Sequence, residues 1–341
     1  IIECEDCLLG VEENRVILDL VLEYMKEYHI SPYEELTGKG LVRHVMIRKG
    51  FATGEVMVCL IVNGDSLPHV DALVERLRTI QGMASITLNI NREQTNVIMG
   101  REIKLLWGQP YIEDTIGSVR FRISPLSFYQ VNPLQTEKLY NLAIEAAGLT
   151  GKETVVDAYC GIGTIGLIAS RDAREVISVE LNPDAVRDAV TNAKRNQIKN
   201  VSFYQNDAGA FMVSMAEKGE KADVVFMDPP RAGSDEAFLS SVVTLSPKKV
   251  VYVSCNPETL ARDLRYLTKH GYKAEEAWGY DMFAWSEHVE SIVLLSKLKS
   301  NKLKHINVEL EMDELDLMAA ESKAIYAEVK DYVSEAKRIE S

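Results

Sequence analysis

The stretch TVVDAYCGIGTIG (residues 154–166) combines a short apolar strand, a glycine-rich turn and the start of a helix. Gly161, Gly163 and Gly166 satisfy the pattern G-x-G-x-x-G, in which glycines permit a tight turn and a close approach between backbone and ligand. Glu180 ends the next predicted strand, where an acidic side chain can accept hydrogen bonds from ribose hydroxyls. The stretch therefore predicts a Rossmann-like unit that binds a ligand containing a nucleoside.

The chain from residue 154 onward alternates strand-like and helix-like segments. Predicted strands cover residues 155–157, 176–180, 201–204, 224–227 and 250–254, with helices between them that include 184–196 and 259–269. This alternation predicts a parallel, doubly wound sheet that binds ligands at the carboxyl ends of its strands. Two further strand candidates, YKAEEAWGYDMF and HVESIVLLSKL, have no helix between them, so we expect an antiparallel pair and a mostly parallel seven-stranded sheet.

The first hundred residues follow a different order, helix–strand–strand–helix–strand–strand. The predicted elements cover residues 14–28, 41–48, 55–62, 69–80, 84–90 and 96–107. The fold class is therefore α/β, with a small α+β domain ahead of the Rossmann-like one. We expect domain boundaries at 1–115, 116–300 and 301–341, the last segment being an acidic, helical extension.

The composition, with 46% hydrophobic and 26% charged residues in a chain of 341, is typical of a globular protein of about two domains. No apolar run approaches the roughly 20 residues that a membrane-spanning helix needs, and the first residues lack the pattern of a secretory signal. We expect a cytoplasmic protein without membrane contact.

The five cysteines are an odd, scattered set, which argues against a disulfide framework and for a reducing compartment. Only Cys4 and Cys7 share a ligand-like spacing, and one C-x2-C pair is half a metal site. We interpret them as unrelated cysteines and predict no metal site. The net charge of −13 disfavours a nucleic-acid partner without excluding one, and the basic clusters within 39–49 and 262–270 are interpreted as solvated faces.

The glycine turn alone fits either a nicotinamide dinucleotide or S-adenosylmethionine (SAM). The stretch DVVFMDPPR (residues 223–231) separates the two, because the strand ends in Asp228 followed by two prolines with restricted φ. The carboxylate is thereby held at the rim of the sheet beside the ligand, a position for which dehydrogenases have no obvious use. An Asp-Pro-Pro turn after the fourth strand of this sheet is typical of methyltransferases.

The stretch VVYVSCNPETLARDL places Cys255 directly after the next predicted strand. Asp228 and Cys255 should then face the same crevice, because carboxyl ends of neighbouring parallel strands share one edge. A thiol within a strand is usually inert packing, but a thiol at the ligand edge is favoured as a nucleophile.

Five motifs together resemble those of a known family. In chain order they are FYQVNP, DAYCGIGTIG, DPPR, VSCNPETLARDL and DMF followed by HVES. They occur in the same order in RNA uracil-5-methyltransferases and resemble most closely those of the bacterial 23S rRNA members, over roughly residues 1–300. The resemblance implies a monomer that uses SAM and acts on RNA, specifically 23S rRNA, through a central α+β RNA-recognition domain and a catalytic domain.

The resemblance also implies a role for each matching residue. Cys255 would be the nucleophile and Glu290 the base that removes a proton. Phe128 would stack on the base or wall it off, Asp228 would also approach the uracil edge, and Asp207 could reach the adenine. The residues that contact SAM would be Gln130, Tyr159, Glu180 and Asp228.

The chain departs from the family pattern at its start. Members usually begin with a β-barrel RNA-binding TRAM domain and a cysteine-rich segment, and this chain carries neither, so we expect a fragment of a longer protein. In cluster-bearing relatives, a cysteine at a position near Cys7 supplies the last iron–sulfur ligand, and the other ligands lie upstream. Those other cysteines are absent here, so no cluster is expected. Ala284 and Trp285 replace the Pro-His that relatives often carry.

The implied chemistry explains the residue types. Carbon 5 of uracil is a weak nucleophile, and a thiolate that adds to carbon 6 makes it enolate-like. A carboxylate must then remove the carbon 5 proton before the cysteine can leave. The base must also be unpaired or flipped out of structured RNA.

Three other functions stay open at the level of sequence. A tRNA uracil-5-methyltransferase would use the same residues. An amino-group methyltransferase acting on adenine, guanine or protein would need no thiol, so Cys255 argues against it. A ribosome-assembly protein with a vestigial SAM fold would not need Cys255, Asp228 and Glu290 intact.

Overall fold

The computed structural model describes residues 10–284 and 286–298. Cys4, Cys7, Trp285 and the predicted extension 301–341 lie outside these residues. Within them, every helix is too short or too polar to cross a membrane. The described residues up to Lys297 belong to one compact unit that contains two large sheets, and the division into domains at residue 115 stays a prediction.

The first sheet has four strands in the order β1-β2-β3-β4. The strands are β1 (Val42–Lys49), β2 (Val56–Val62), β3 (Met83–Ile90) and β4 (Glu102–Gly108), and the helices are α1 (Glu13–Glu27) and α2 (Val70–Leu77). Helix α2 connects β2 to β3, which are parallel, and the other neighbours are antiparallel. All six predicted elements are present. Strand β4 begins six residues later than predicted, because side chains of β3 bind the preceding backbone, as described below.

Two elements between the sheets have no counterpart among the predicted ones. They are a hairpin of β5 (Ile112–Ile116) and β6 (Val119–Ile123), and helix α3 (Pro133–Ala147). Asn132 caps α3 by accepting a hydrogen bond from the Gln135 amide, and a proline occupies its first turn. The strands of the hairpin are five residues long, so their alternation is too brief to separate them from a loop.

The second sheet has seven strands in the order β12-β13-β11-β10-β7-β8-β9. Its strands are β7 (Thr154–Asp157), β8 (Glu175–Glu180), β9 (Val201–Gln205), β10 (Val224–Met227), β11 (Lys249–Ser254), β12 (Tyr272–Tyr280) and β13 (Glu290–Lys297). Strands β7 to β11 pair in parallel, whereas β13 is antiparallel to both β11 and β12. The predicted mostly parallel seven-stranded sheet is confirmed, including its antiparallel last pair.

Helices cover both faces of the second sheet. They are α4 (Thr164–Ala169), α5 (Pro183–Arg195), α6 (Ala208–Glu217), α7 (Glu236–Leu245) and α8 (Pro257–Lys269). Alternate residues of a strand point to opposite faces, so Phe226 packs in one core with α3, α4 and α5, and Val225 packs in the other with α6, α7 and α8. Apolar residues on both faces explain why these strands read as continuous apolar runs.

Arg48 of β1 connects the first sheet to the segment ahead of α3. Its guanidinium donates hydrogen bonds to the carbonyl oxygens of Ser124 and Ser127, at 3.2 and 2.6 Å. The Ala52 amide also donates to Asp114 Oδ1 of the hairpin at 2.8 Å. The small sheet is therefore fixed to the loop that immediately precedes Phe128.

Candidate active site

The glycine turn follows β7 and leads into α4. Gly161 and Gly163 have φ values of +53° and +86°, in the left-handed region that favours glycine. The Gly161 amide donates to Glu180 Oε2 at 3.0 Å, and the Asn182 amide donates to Oε1 at 2.7 Å. A side chain added at Gly161 would meet no atom within 4 Å. The turn is thus open on its outer side, with a carboxylate fixed at its edge.

Asp157, at the end of β7, was not singled out from the sequence. Its side chain is fully buried, and Oδ2 accepts a hydrogen bond from the Gly166 amide at 2.8 Å. Oδ1 is buried without a partner among the described residues. Burial raises the pKa of Asp157 to about 7, although the Gly166 hydrogen bond lowers it. Asp157 thus fixes the start of α4 through the Gly166 amide and places a buried carboxyl group beneath the turn.

Asp228 and Tyr159 both follow strands at the carboxyl edge of the sheet. Phe226 of β10 pairs with Asp157 of β7, so the parallel register brings the residues that follow the two strands together. The Tyr159 hydroxyl lies 3.2 Å from Ser234 Oγ. Burial, and then the charges of Glu290 and Asp157, raise the pKa of Asp228 to about 8. The protonated form of Asp228 is therefore favoured more than that of an exposed aspartate.

Cys255 and Glu290 come together through the antiparallel pairing of β11 and β13. Ser254 pairs with Ser291, so the next pair in the same register is Cys255 and Glu290. Glu290 is buried, with 4% of its surface exposed, and burial raises its pKa. Burial also raises the pKa of Cys255, followed by the charges of Glu290 and Asp228. The resting thiol is therefore protonated at neutral pH, and it must pass on its proton during attack.

Arg231 brings a positive charge to this site, and no pattern in the sequence assigned it a role. It lowers the pKa of both Cys255 and Glu290, in each case against the larger effect of burial. Its guanidinium Nη2 lies 3.0 Å from His288 Nδ1. Its position after the Asp-Pro-Pro turn was the only signal available in the sequence.

Cys255 is also the accessible thiol among the three cysteines that the structure describes. Cys59 and Cys160 are buried, and burial raises the pKa of Cys59 to about 11 and that of Cys160 well above its ordinary value. Cys255 is half-buried. Among the described residues, no three His, Cys, Asp or Glu side chains are grouped to hold a metal ion.

Helix α8 fixes the loop that follows Asp228. Asp263 is fully buried, and its Oδ2 accepts hydrogen bonds from the Ser234 amide at 2.8 Å and from the Tyr252 hydroxyl at 2.7 Å. Its Oδ1 accepts from Arg262 Nε at 2.8 Å, and Arg262 Nη2 donates to the carbonyl oxygens of Ala232 and Ser234. Helix α8, which follows Cys255, thus positions the loop that follows Asp228.

Gln130 and Phe128 line a small crevice beside the start of α4, together with Tyr140 and Thr164. Gln130 is buried and hydrogen-bonds to the side chain of Tyr140. Phe128 is 71% exposed, so its ring is accessible to a ligand or partner. Asp207 caps α6 by accepting a hydrogen bond from the Ala210 amide at 2.9 Å, and its charge contributes to the raised pKa of Tyr159.

The predicted site residues therefore form three groups. Cys255, Glu290 and Asp228 are close enough for their charges to alter one another's pKa. Tyr159 directly precedes the glycine turn, and Glu180 accepts a hydrogen bond from its Gly161 amide. Phe128 and Gln130 line the crevice beside the start of α4.

Comparison with known proteins identifies the family. The model of the tRNA (uracil-5-)-methyltransferase family matches residues 80–298. A protein of Halalkalibacterium halodurans, described as an uncharacterized RNA methyltransferase, is 48% identical over 296 residues, covering 86% of this chain and 65% of its own length. A Clostridium acetobutylicum protein with the same description is 46% identical over 299 residues, covering 87% of this chain and 65% of its own. The chain thus spans 65% of the length of each of these relatives, slightly less than two thirds.

Solved structures agree with the observed fold. The Pyrococcus abyssi tRNA (uracil-54, C5)-methyltransferase, solved with S-adenosyl-L-homocysteine, superimposes with a TM-score of 0.72 at 28% identity, covering 86% of this chain and 70% of that one. Methanocaldococcus jannaschii Trm5, solved with adenosine, gives a TM-score of 0.52 at 12% identity, covering 86% and 81%, and supports the fold alone. The chain has the α/β fold of SAM-dependent methyltransferases and belongs to the tRNA (uracil-5-)-methyltransferase family.

Proposed function

We propose that this protein methylates carbon 5 of a uridine in 23S rRNA, with SAM as methyl donor and a covalent bond between Cys255 and the base. The observation that carries the proposal is the adjacency of Cys255 and Glu290 in the register of β11 and β13, with Asp228 at the same edge. A partly exposed thiol beside a buried carboxylate fits addition followed by elimination.

The site suits SAM. Glu180, held at the glycine turn by two amides, keeps further lone pairs for ribose hydroxyls. Tyr159 and Asp228 line the same edge, Gln130 lies across the start of α4, and Asp207 is exposed at the end of β9. The related Pyrococcus enzyme was solved with S-adenosyl-L-homocysteine, which supports this choice. SAM, when bound, supplies the methyl group as an electrophile.

Cys255 would begin the reaction by adding its sulfur to carbon 6 of the uracil. The thiol proton passes to solvent water, which reaches the half-buried Cys255. The sulfur–carbon 6 bond forms, and the electrons of the carbon 5–carbon 6 double bond move toward carbon 5 and O4. Asp228, whose raised pKa favours its protonated form, can donate a hydrogen bond to the oxygen on which negative charge builds. Carbon 5 becomes nucleophilic enough to accept a methyl group.

Glu290 would complete the reaction after methylation. Carbon 5 then carries both a methyl group and a hydrogen, and Glu290 removes this hydrogen as a proton. The electrons of that bond restore the carbon 5–carbon 6 double bond, the sulfur–carbon bond breaks, and Cys255 leaves as a thiolate. The raised pKa of Glu290 makes its carboxylate a stronger base than an exposed glutamate.

The substrate base has to leave its stack to reach this edge, at a cost of a few kcal/mol. The exposed ring of Phe128 is available to stack on it. We place the reaction in the cytoplasm and in a single copy of the protein. A tRNA substrate is the second candidate, because the family description and the Pyrococcus enzyme both name tRNA.

The test is mass mapping of 5-methyluridine in 23S rRNA and tRNA from cells with and without the full-length protein, followed by methylation of the unmodified RNA in vitro. Loss of one or more 5-methyluridines from 23S rRNA is the expected result. Loss from tRNA alone would assign the second substrate. Unchanged 5-methyluridine in both RNAs, or a methylated amino group instead, would refute uracil-5 methylation.

A further inference from the structure

The small sheet carries a polar crevice of about 170 Å³ that the proposed chemistry does not use. It is lined by Tyr33, Glu35, Arg43, Gln94, Thr95 and Asn96. Its volume is more than ten times the roughly 10–15 Å³ that one water molecule needs. The crevice is therefore large enough for an organic group, and its lining is composed of hydrogen-bonding side chains.

Arg43 forms one wall of the crevice because a bulge interrupts β1. Val42 pairs with Val62 and His44 with Ile61, so Arg43 is the extra residue of β1. Bulges redirect a side chain and occur often beside functional sites. The Arg43 guanidinium lies over the Tyr33 ring, with Cζ 4.4 Å from its centroid, and donates to the carbonyl oxygens of Asn91 and Glu93.

Two buried asparagines, Asn89 and Asn91, fix the backbone of the loop that carries the other side chains of the crevice. Asn89 Nδ2 donates to the carbonyl oxygens of Gly100 and Glu102, and Asn89 Oδ1 accepts from the Gly100 amide at 2.7 Å. Asn91 Nδ2 donates to the carbonyl oxygens of Val97 and Ile98, at 2.7 and 3.0 Å. The segment between β3 and β4 is thus a loop of defined shape, although it forms no regular structure.

Three side chains of the crevice have unused hydrogen-bonding groups. The amides of Gln94 and Asn96 and the carboxylate of Glu35 are exposed, and among the described residues none of them forms a side-chain hydrogen bond. Gln94 and Asn96 each offer two donors and one acceptor oxygen, and Glu35 offers acceptors. This combination matches the edge of a heterocyclic base, which presents donors and acceptors side by side.

We propose that this crevice binds one unpaired base of the RNA substrate, hydrogen-bonded by Gln94 and Asn96 beside the stacked Arg43 and Tyr33. Unpaired bases in RNA are typically read on their edges by polar side chains and covered by aromatic rings or guanidinium planes. A protein partner is less favoured, because protein interfaces are built around an apolar centre. The inference rests on the proposed function and adds to it a second contact with the RNA.

The position of the crevice suits this role. Arg43 and Arg48 lie five residues apart on β1, about 17 Å at the usual rise per residue. Arg48 binds the Ser124 and Ser127 carbonyls directly ahead of Phe128. A base in the crevice would therefore lie a few nucleotides from a uridine stacked on Phe128.

The experiment measures methylation of RNA isolated from cells that lack the enzyme, using wild type, Gln94→Ala, Asn96→Ala and the control Gln81→Ala. Gln81 is an exposed amide at the opposite end of β3. Because neither crevice amide has a structural hydrogen bond, both variants should fold. We expect the KM for RNA to rise about fivefold in each, the equivalent of one hydrogen bond of about 1 kcal/mol, while kcat, the KM for SAM and the control stay unchanged.

A substrate with one abasic nucleotide tests the partner directly. In a series of substrates that each carry one abasic nucleotide near the mapped uridine, wild type should bind one substrate more weakly than the intact RNA. For Gln94→Ala, the abasic nucleotide at that position should weaken binding little further. If the wild-type protein methylates the RNA and both crevice variants have an unchanged KM for RNA, the base-binding crevice is refuted while the proposed function stands. An equal rise in the KM for RNA in Gln81→Ala would also refute the crevice. Absence of methylated uridine with the wild-type protein would overturn the proposed function as well.

Discussion

Asp263 accepts three hydrogen bonds, one of them from the Ser234 amide in the loop after Asp228, so its replacement has a cost that follows from the structure. Asp263→Ala leaves the Ser234 amide and the Tyr252 hydroxyl without their acceptor. Each buried donor left unpaired costs roughly 1–3 kcal/mol, whereas Arg262, with 56% of its side chain exposed, can be rehydrated. We expect the free energy of unfolding to fall by about 2–6 kcal/mol, the sum for two unpaired buried donors.

Urea unfolding followed by circular dichroism measures this loss. Asp263→Asn keeps one oxygen for Ser234 and Tyr252 but places an amide N–H against Arg262 Nε, so we expect about 2 kcal/mol, the scale of one charge-assisted hydrogen bond. Tyr252→Phe removes a single donor at about 1 kcal/mol, and combined with Asp263→Ala it should add less than this amount. A loss below about 1 kcal/mol in Asp263→Ala, or full additivity of the pair, would refute the reasoning.

Activity separates positioning from stability. Because the bonds to Ser234 and Ala232 orient the loop that carries Arg231, we expect folded Asp263→Asn to methylate RNA more slowly per folded molecule than wild type. A variant that was only less stable would show the wild-type rate once corrected for its folded fraction.

Three further predictions concern the reacting groups. RNA with 5-fluorouridine at the target should trap a covalent adduct with wild type, because fluorine cannot leave as a cation, and Cys255→Ala should trap none; an adduct in this variant, detected by mass spectrometry, would place the nucleophile elsewhere. Glu290→Gln should accumulate a methylated protein–RNA adduct with ordinary RNA and release product about 10²-fold more slowly or worse, whereas release at the wild-type rate would remove Glu290 from the mechanism. The pKa of Asp228 is about 8 in the folded protein and 3.8 ordinarily, so its contribution to stability is present below about pH 4 and is lost as pH rises through 8. The fall in unfolding temperature from pH 5 to pH 9 should therefore be smaller in Asp228→Asn than in wild type. An equal fall in both proteins would contradict the raised pKa.

The framework of the larger sheet could be predicted from sequence because its strands are short, wholly apolar runs that end in polar residues. Val250 to Val253, followed by Ser254 and Cys255, identify both a buried strand and the residue at its ligand edge. The hairpin of β5 and β6 was missed, because its edge is completed by side chains from α5, such as Asn192 bonding to the Arg122 amide. That contact spans seventy positions and has no local signal.

The residues of the candidate site also fall into those that could be placed from the sequence and those that could not. Cys255 and Asp228 could be placed together from the order of parallel strands, whereas Glu290 was assigned through resemblance, since no pattern gives the register of β13. Asp157, Arg231 and Asp263 were missed because their roles depend on tertiary contacts. The loop ahead of β4 was predicted as strand from Asn96 onward, where the β-branched Val97 and Ile98 favour a strand. The amides of Asn89 and Asn91 instead bind its backbone carbonyls.

The pairing of β13 with β11 has a consequence for how this enzyme tolerates insertions and deletions. Glu290 is located by its ladder partner, and the length of the connection from β12 does not determine its place. Residues can therefore be gained or lost in that connection without moving the carboxylate. A single deletion inside β13 would instead present Val289 to Cys255 and turn the carboxylate to the other face of the sheet. Such a molecule could fold with its core nearly intact and still lack a base, so the length of this one strand is constrained by catalysis more strictly than by stability.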